Sequence, residues 1–200
     1  MKKSLVLAIA GLATGVVASY GQGAIYLDNY FTYGPDILYG AGVPGGTPGT
    51  ALGGNNWTMG LYYAVGTVSV PPDPTGTGDP AGMGLTLGSG LGSTAPINAS
   101  GTPGRGFANA FFVVPGTAAA GGTAITVMVV AYDGGSYLGS ADRGHSTAFG
   151  MTVSPNTSGS PNAVGTFMSS FSVLPVPEPT TLALGGLGGL ALLLMRRRQS

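Results

Sequence analysis

Apolar residues return at every second position through several stretches of this chain, the repeat expected of a β-strand with one face turned inward. The clearest case is residues 123–133, where Ile125, Val127, Val129 and Ala131 share a face. That stretch is long enough for a short helix, but its β-branched residues favour a strand. Trp57, Met59, Leu61, Tyr63 and Val65 alternate with Thr58, Gly60, Tyr62 and Ala64. Phe149, Met151 and Val153 repeat the pattern, as do Phe167, Phe171 and Val173. Residues 24–33 and 107–114 are further strand segments, with shorter ones near Val68 and Leu85. Many short strands without a helical period predict an all-β body, built as an antiparallel β-sandwich or jelly roll. Residues 34–56 and 71–103 are rich in Gly, Pro, Thr and Ser and read as long surface loops. Residues 173–176 read as the linker that leaves the body.

The two ends break the alternation. Met1-Lys2-Lys3, an apolar run over residues 5–18 and small residues at Ala18, Ser19, Gly21 and Gly23 have the form of a secretory signal peptide. Cleavage is expected after Gly21, or alternatively after Gly23, which makes residues 1–21 the signal and 22–175 the body. As a helix the run reaches about 21 Å, short of a hydrocarbon core of about 30 Å, so removal suits it better than permanent anchoring.

Residues 176–200 form a tail in three parts. Pro177, Glu178 and Pro179 come first, in a segment kept extended because each proline biases its predecessor away from helix. An uncharged apolar run over residues 182–195 follows, predicted as a short transmembrane helix. Arg196, Arg197 and Arg198 close the tail, and such a cluster stays on the cytoplasmic side. In this order the three parts resemble the PEP-CTERM sorting signal of Gram-negative bacteria. The resemblance implies an exosortase-type membrane protease as partner, acting at Pro177-Glu178-Pro179. It further implies transient anchoring through the tail, then an outer-surface or extracellular location, and association with exopolysaccharide and biofilm surfaces.

Composition narrows the class of the body. Of 200 residues 38 are Gly and 15 Pro, and only 7% are charged, against about 25% in an ordinary soluble domain. Disorder of the charged kind requires low hydrophobicity and high net charge; this chain is 44% hydrophobic with a formal net charge of zero. The lysines and three of the arginines sit at the ends. The body keeps Arg105 and Arg143 against six aspartates, a net charge of −4. Two cations cannot neutralise a run of phosphates, so nucleic acid is not an expected partner.

Candidate chemistry is sparse. The chain has no cysteine and one histidine, too few for a structural zinc site. Asp28, Asp133 and Asp142 are the carboxylates a calcium ion would use, but no D-x-D-x-D-G loop surrounds them. No metal or cofactor is expected. His145 could join Asp142 or Asp133 and a nearby serine as a nucleophile triad. No G-x-S-x-G elbow exists, and Ser146 is adjacent in sequence, a poor geometry for proton transfer to His145. The segment is therefore read as a turn before the Phe149 strand, with Arg143 paired to Asp142 or Asp133. A glycosidase needs two carboxylates across a cleft, and the body contains no glutamate. Trp57, Tyr62, Tyr63, Tyr132 and Tyr137 could stack on sugar rings, although alternating positions place most of them in the core.

These features predict an exported, non-enzymatic protein of the cell surface or extracellular matrix. A carbohydrate-binding module is the alternative. A secreted esterase or glycosidase would require His145 or an aspartate pair to lie in a cleft.

Overall fold

The computed structural model describes residues 22–54, 56–98, 101–156 and 159–176. The expected signal peptide, the Pro177–Pro179 motif, the helix over 182–195 and the Arg196–Arg198 cluster lie outside these residues. Ten strands follow in order: β1 Ala24–Ile25, β2 Ile37–Tyr39, β3 Thr58–Val65, β4 Thr86–Leu87, β5 Thr94–Pro96, β6 Phe112–Val113, β7 Ala124–Tyr132, β8 Asp142–His145, β9 Phe149–Thr152 and β10 Phe171–Pro175. Among the described residues the helical content is a single 3-10 turn, Val164–Thr166. None of their helices is long and apolar enough to cross a membrane. The body is all-β.

The two long alternating stretches form the central ladder. β3 and β7 pair antiparallel over eight positions, from Thr58 opposite Tyr132 to Val65 opposite Ile125. Directly opposed residues point to the same face, so Met59, Leu61 and Tyr63 join Ala131, Val129 and Val127 on one side. That side carries the main core, completed by Ile25 and Leu27, Phe112 and Val114, Leu52, Ile97 and Val173. Tyr62, Met128, Val130 and Tyr132 emerge on the other side and meet Leu85 and Tyr137 in a smaller cluster. Both faces are buried, which explains why β7 reads as a nearly continuous apolar run.

Each long strand is continued outward by two short ones. β5 and β4 share the far side of β3, while β8 and β9 share the far side of β7. Beyond β8 lie β10 and then β2, giving an eight-stranded sheet. β1 and β6 form a separate two-stranded sheet. Isolated bridges tie the sheet edges to the β1 segment: Ala24 to Ser154 past β9, Ile97 to Gly106 past β5, and Phe107 to Asp28. Such bridging covers edges that would otherwise invite pairing with another chain.

The all-β class expected from the sequence is present, as one eight-stranded sheet and the β1–β6 pair, whose Ile25 and Phe112 join the main core. One pairing, β10 with β2, is parallel. Several segments differ from expectation for identifiable reasons. Residues 24–33 give a strand of only two residues, because the Asp28 carboxylate takes the backbone N–H groups of Tyr30, Phe31 and Thr32 and turns the chain. Val68 lies outside the strands, since its N–H bonds to the Thr126 hydroxyl at 2.9 Å and leaves the ladder. Phe167 follows the 3-10 turn in an αR conformation and precedes β10. Residues 173–175 of the supposed linker belong to β10, Val173 pairing with β2 and Leu174 and Pro175 with β8.

Candidate functional site

His145 is the last residue of β8, not part of a turn, and its side chain is only 5% exposed. Its Nε2 lies 2.9 Å from Oδ2 of Asp73, a residue the sequence patterns do not connect with it. Its Nδ1 lies 2.8 Å from the Ser146 carbonyl. Both ring nitrogens are thus engaged by acceptors of the fold itself, and neither faces a serine hydroxyl. The Ser146 hydroxyl accepts the Val129 N–H at 3.1 Å, deep in the sheet. The triad geometry does not form.

The histidine instead pins a loop. Asp73 also accepts from the Thr75 hydroxyl at 2.6 Å, the Thr75 N–H at 2.9 Å and the Gly78 N–H at 2.7 Å. Burial opposes ionisation of this carboxyl, but the hydrogen bonds from Thr75, His145 and Gly78 outweigh it and hold Asp73 well below the usual carboxylate range. The His145 N–H bonds to Gly76 O at 2.9 Å, and Arg143 Nε bonds to Thr77 O at 2.9 Å. Arg143 thus bonds carbonyls and sits over the Tyr137 ring, 5.3 Å from its centroid, where pairing with Asp142 or Asp133 was expected. The strapped loop walls an open cleft of about 530 Å³ lined by Val68, Val70, Met128 and Phe149 together with Asp73 and His145 themselves. The histidine does border a cleft, but no serine is among the residues that line it.

The remaining candidates separate. Asp28 is fully buried and caps backbone N–H groups. Asp133 Oδ1 accepts the Asp142 N–H at 3.4 Å, and burial, then the charge of Asp133, push the Asp142 carboxyl up. The three aspartates proposed for calcium therefore do not converge: Asp28 holds its own turn, while Asp133 and Asp142 adjoin across the β7–β8 connection. No group of three His, Cys, Asp or Glu positioned to hold a metal occurs among the described residues. Trp57, Tyr62, Tyr63, Tyr132 and Tyr137 are all buried; alternation placed most of them in the core, and Tyr137, outside the strands, is buried as well. The exposed rings among the described residues are those of Phe31 and Tyr33, inside the stretch 24–33 read as a strand, and of Phe167, which was expected on a strand face.

At the far end of the body, Pro175 closes β10 opposite Asp142, and the Val176 N–H bonds to Ala141 O at 2.8 Å. The chain is therefore fixed to the sheet up to the residue before Pro177, and the Pro-Glu-Pro segment follows without a spacer. No curated protein and no solved structure matches the chain. Residues 175–198 match the family model of the PEP-CTERM protein-sorting motif, so this chain carries that sorting signal, beginning on the last residue of its final strand.

Proposed function

We propose that this protein is a non-enzymatic component of the bacterial cell surface or extracellular matrix, delivered there by processing of its tail. The sorting motif marks an exported protein handled at the membrane. Its position directly after a folded β body carries the proposal, because it makes the body the cargo and the tail the address. An exosortase-type protease is the processing partner. In the tail, the apolar run over residues 182–195 spans about 21 Å as a helix, a tight fit that thins the bilayer locally. Arg196, Arg197 and Arg198 remain on the cytoplasmic side. The extended Pro177-Glu178-Pro179 segment cannot satisfy its backbone in lipid and lies outside, where it is recognised. Support for a non-catalytic body comes from His145 and Ser146, whose polar atoms are engaged in holding strands and loop together.

Replacing Arg196, Arg197 and Arg198 with Ser, and separately Pro177, Glu178 and Pro179 with Ala, tests the proposal in the native host. The first change is expected to weaken membrane retention, and the second to block processing while the tail stays inserted. If both variants were processed and located like the original chain, the proposal would be wrong.

A further inference from the structure

Phe31 and Tyr33 are exposed on a rigid mount. Phe31 is 58% and Tyr33 86% accessible, while Asp28 and Asn29 beneath them are fully buried. Besides the Asp28 bonds to the turn, the Asn29 amide donates to Pro35 O at 3.0 Å and Gly104 O at 3.1 Å. Its Oδ1 accepts the Gly106 N–H at 2.8 Å. Tyr33 has φ +50°, a left-handed conformation that a residue with a bulky side chain rarely adopts. Buried polar groups and a strained residue thus hold two large rings in water, an arrangement that costs stability and is characteristic of binding sites.

The rings border a concavity of about 350 Å³ lined by Tyr30, Phe31, Tyr33, Thr102 and Arg105. Phe107 backs it, its ring centroid 4.8 Å from that of Phe31. Arg105 Nε donates to Asp36 Oδ1 at 2.6 Å. The Arg105 Nη groups and Asp36 Oδ2 have no partner among the described residues, and both side chains are partly exposed.

We propose that this concavity binds a neutral saccharide segment. The inference rests on the reading of the body as a non-catalytic surface component, and it supplies the class of ligand. A sugar ring offers an apolar C–H face and hydroxyls that each donate and accept. Aromatic rings match the face, Arg105 supplies donors, and the Thr102 hydroxyl can both donate and accept. An anionic polymer meets a body of net charge −4 and an arginine already paired with Asp36; a cation meets Arg105; a wholly apolar ligand would strip water from the Arg–Asp pair without replacing its hydrogen bonds.

Affinity electrophoresis of the full-length chain in mild detergent tests this, using native gels containing dextran, laminarin or galactomannan, with alginate as the anionic comparison. Retardation is expected in at least one neutral gel, with the apparent dissociation constant raised about tenfold or more by Phe31→Ala and by Tyr33→Gly. Tyr33→Gly fits the positive φ and should fold at least as stably as the original, so its loss of binding cannot be assigned to misfolding. Mobility unaffected by every neutral polymer, retardation unchanged in both variants, or retardation by alginate alone would overturn the proposal. Failure of the surface-protein reading shows differently, as a chain retaining Met1 inside the cell, whatever the gels report.

Discussion

Asp73 concentrates most of the local electrostatics in one carboxylate. Its four hydrogen bonds join the Pro-rich loop to the end of β8. Asp73→Asn places a donor where only acceptors fit and should destabilise the body by about 1.5–3 kcal/mol, read by urea unfolding near pH 6. The pH dependence follows from the sign of the shift. The folded-state pKa is depressed below the unfolded value of about 3.9, so the stabilisation is fully present above that value and is lost as pH falls toward the folded pKa. The difference between the original chain and Asp73→Asn should therefore shrink below about pH 4. A difference that grew in acid would contradict this account of the loop. Sequence patterns singled out His145 but could not supply its partner, which lies 72 positions away in a stretch without periodicity. Phe31 and Tyr33 fall in the stretch 24–33 read as a strand, and the Asp28 turn that ends pairing there is what leaves their rings outside the core.

β10 is the element that connects body to tail, and its seat depends on a glycine. A β-carbon at Gly144 would strike the backbone carbonyl of Ser172 and come within 2.9 Å of Val173 Cα. Gly144→Val should therefore spread β8 from β10 at a cost of about 1–3 kcal/mol or more, lowering the thermal midpoint and opening β10 to proteolysis. Gly150→Ala, on β9 with open space around it, should change stability by no more than about 0.5 kcal/mol. Equal effects would show that close strand approach at Gly144 does not matter. The long strands were legible because β3 and β7 keep one face apolar for eight paired positions. β2, β4 and β5 have only two or three residues each, too few for a period to register, and their pairing is decided by distant partners. The parallel β10–β2 pair joins segments more than 130 positions apart, as the Ser170 hydroxyl bond to Asp36 O also does.

For the whole molecule, the central claim is that a β body is exported and trimmed at both ends. The body is short of charge, has no lysine and carries a net charge of −4, while its aromatic platform and its tail attachment are separately built features. Export and the proposed surface display and saccharide binding rest on different residues, so each proposal can fail without the others. The most direct measurement is mass spectrometry of the protein recovered from its native host, read at both termini. The account predicts a mature chain beginning at Gln22 or Ala24 and ending in or near Pro177-Glu178-Pro179, with residues 182–200 removed. Protein in the cell envelope that still begins at Met1 and still carries Arg196, Arg197 and Arg198 would contradict it.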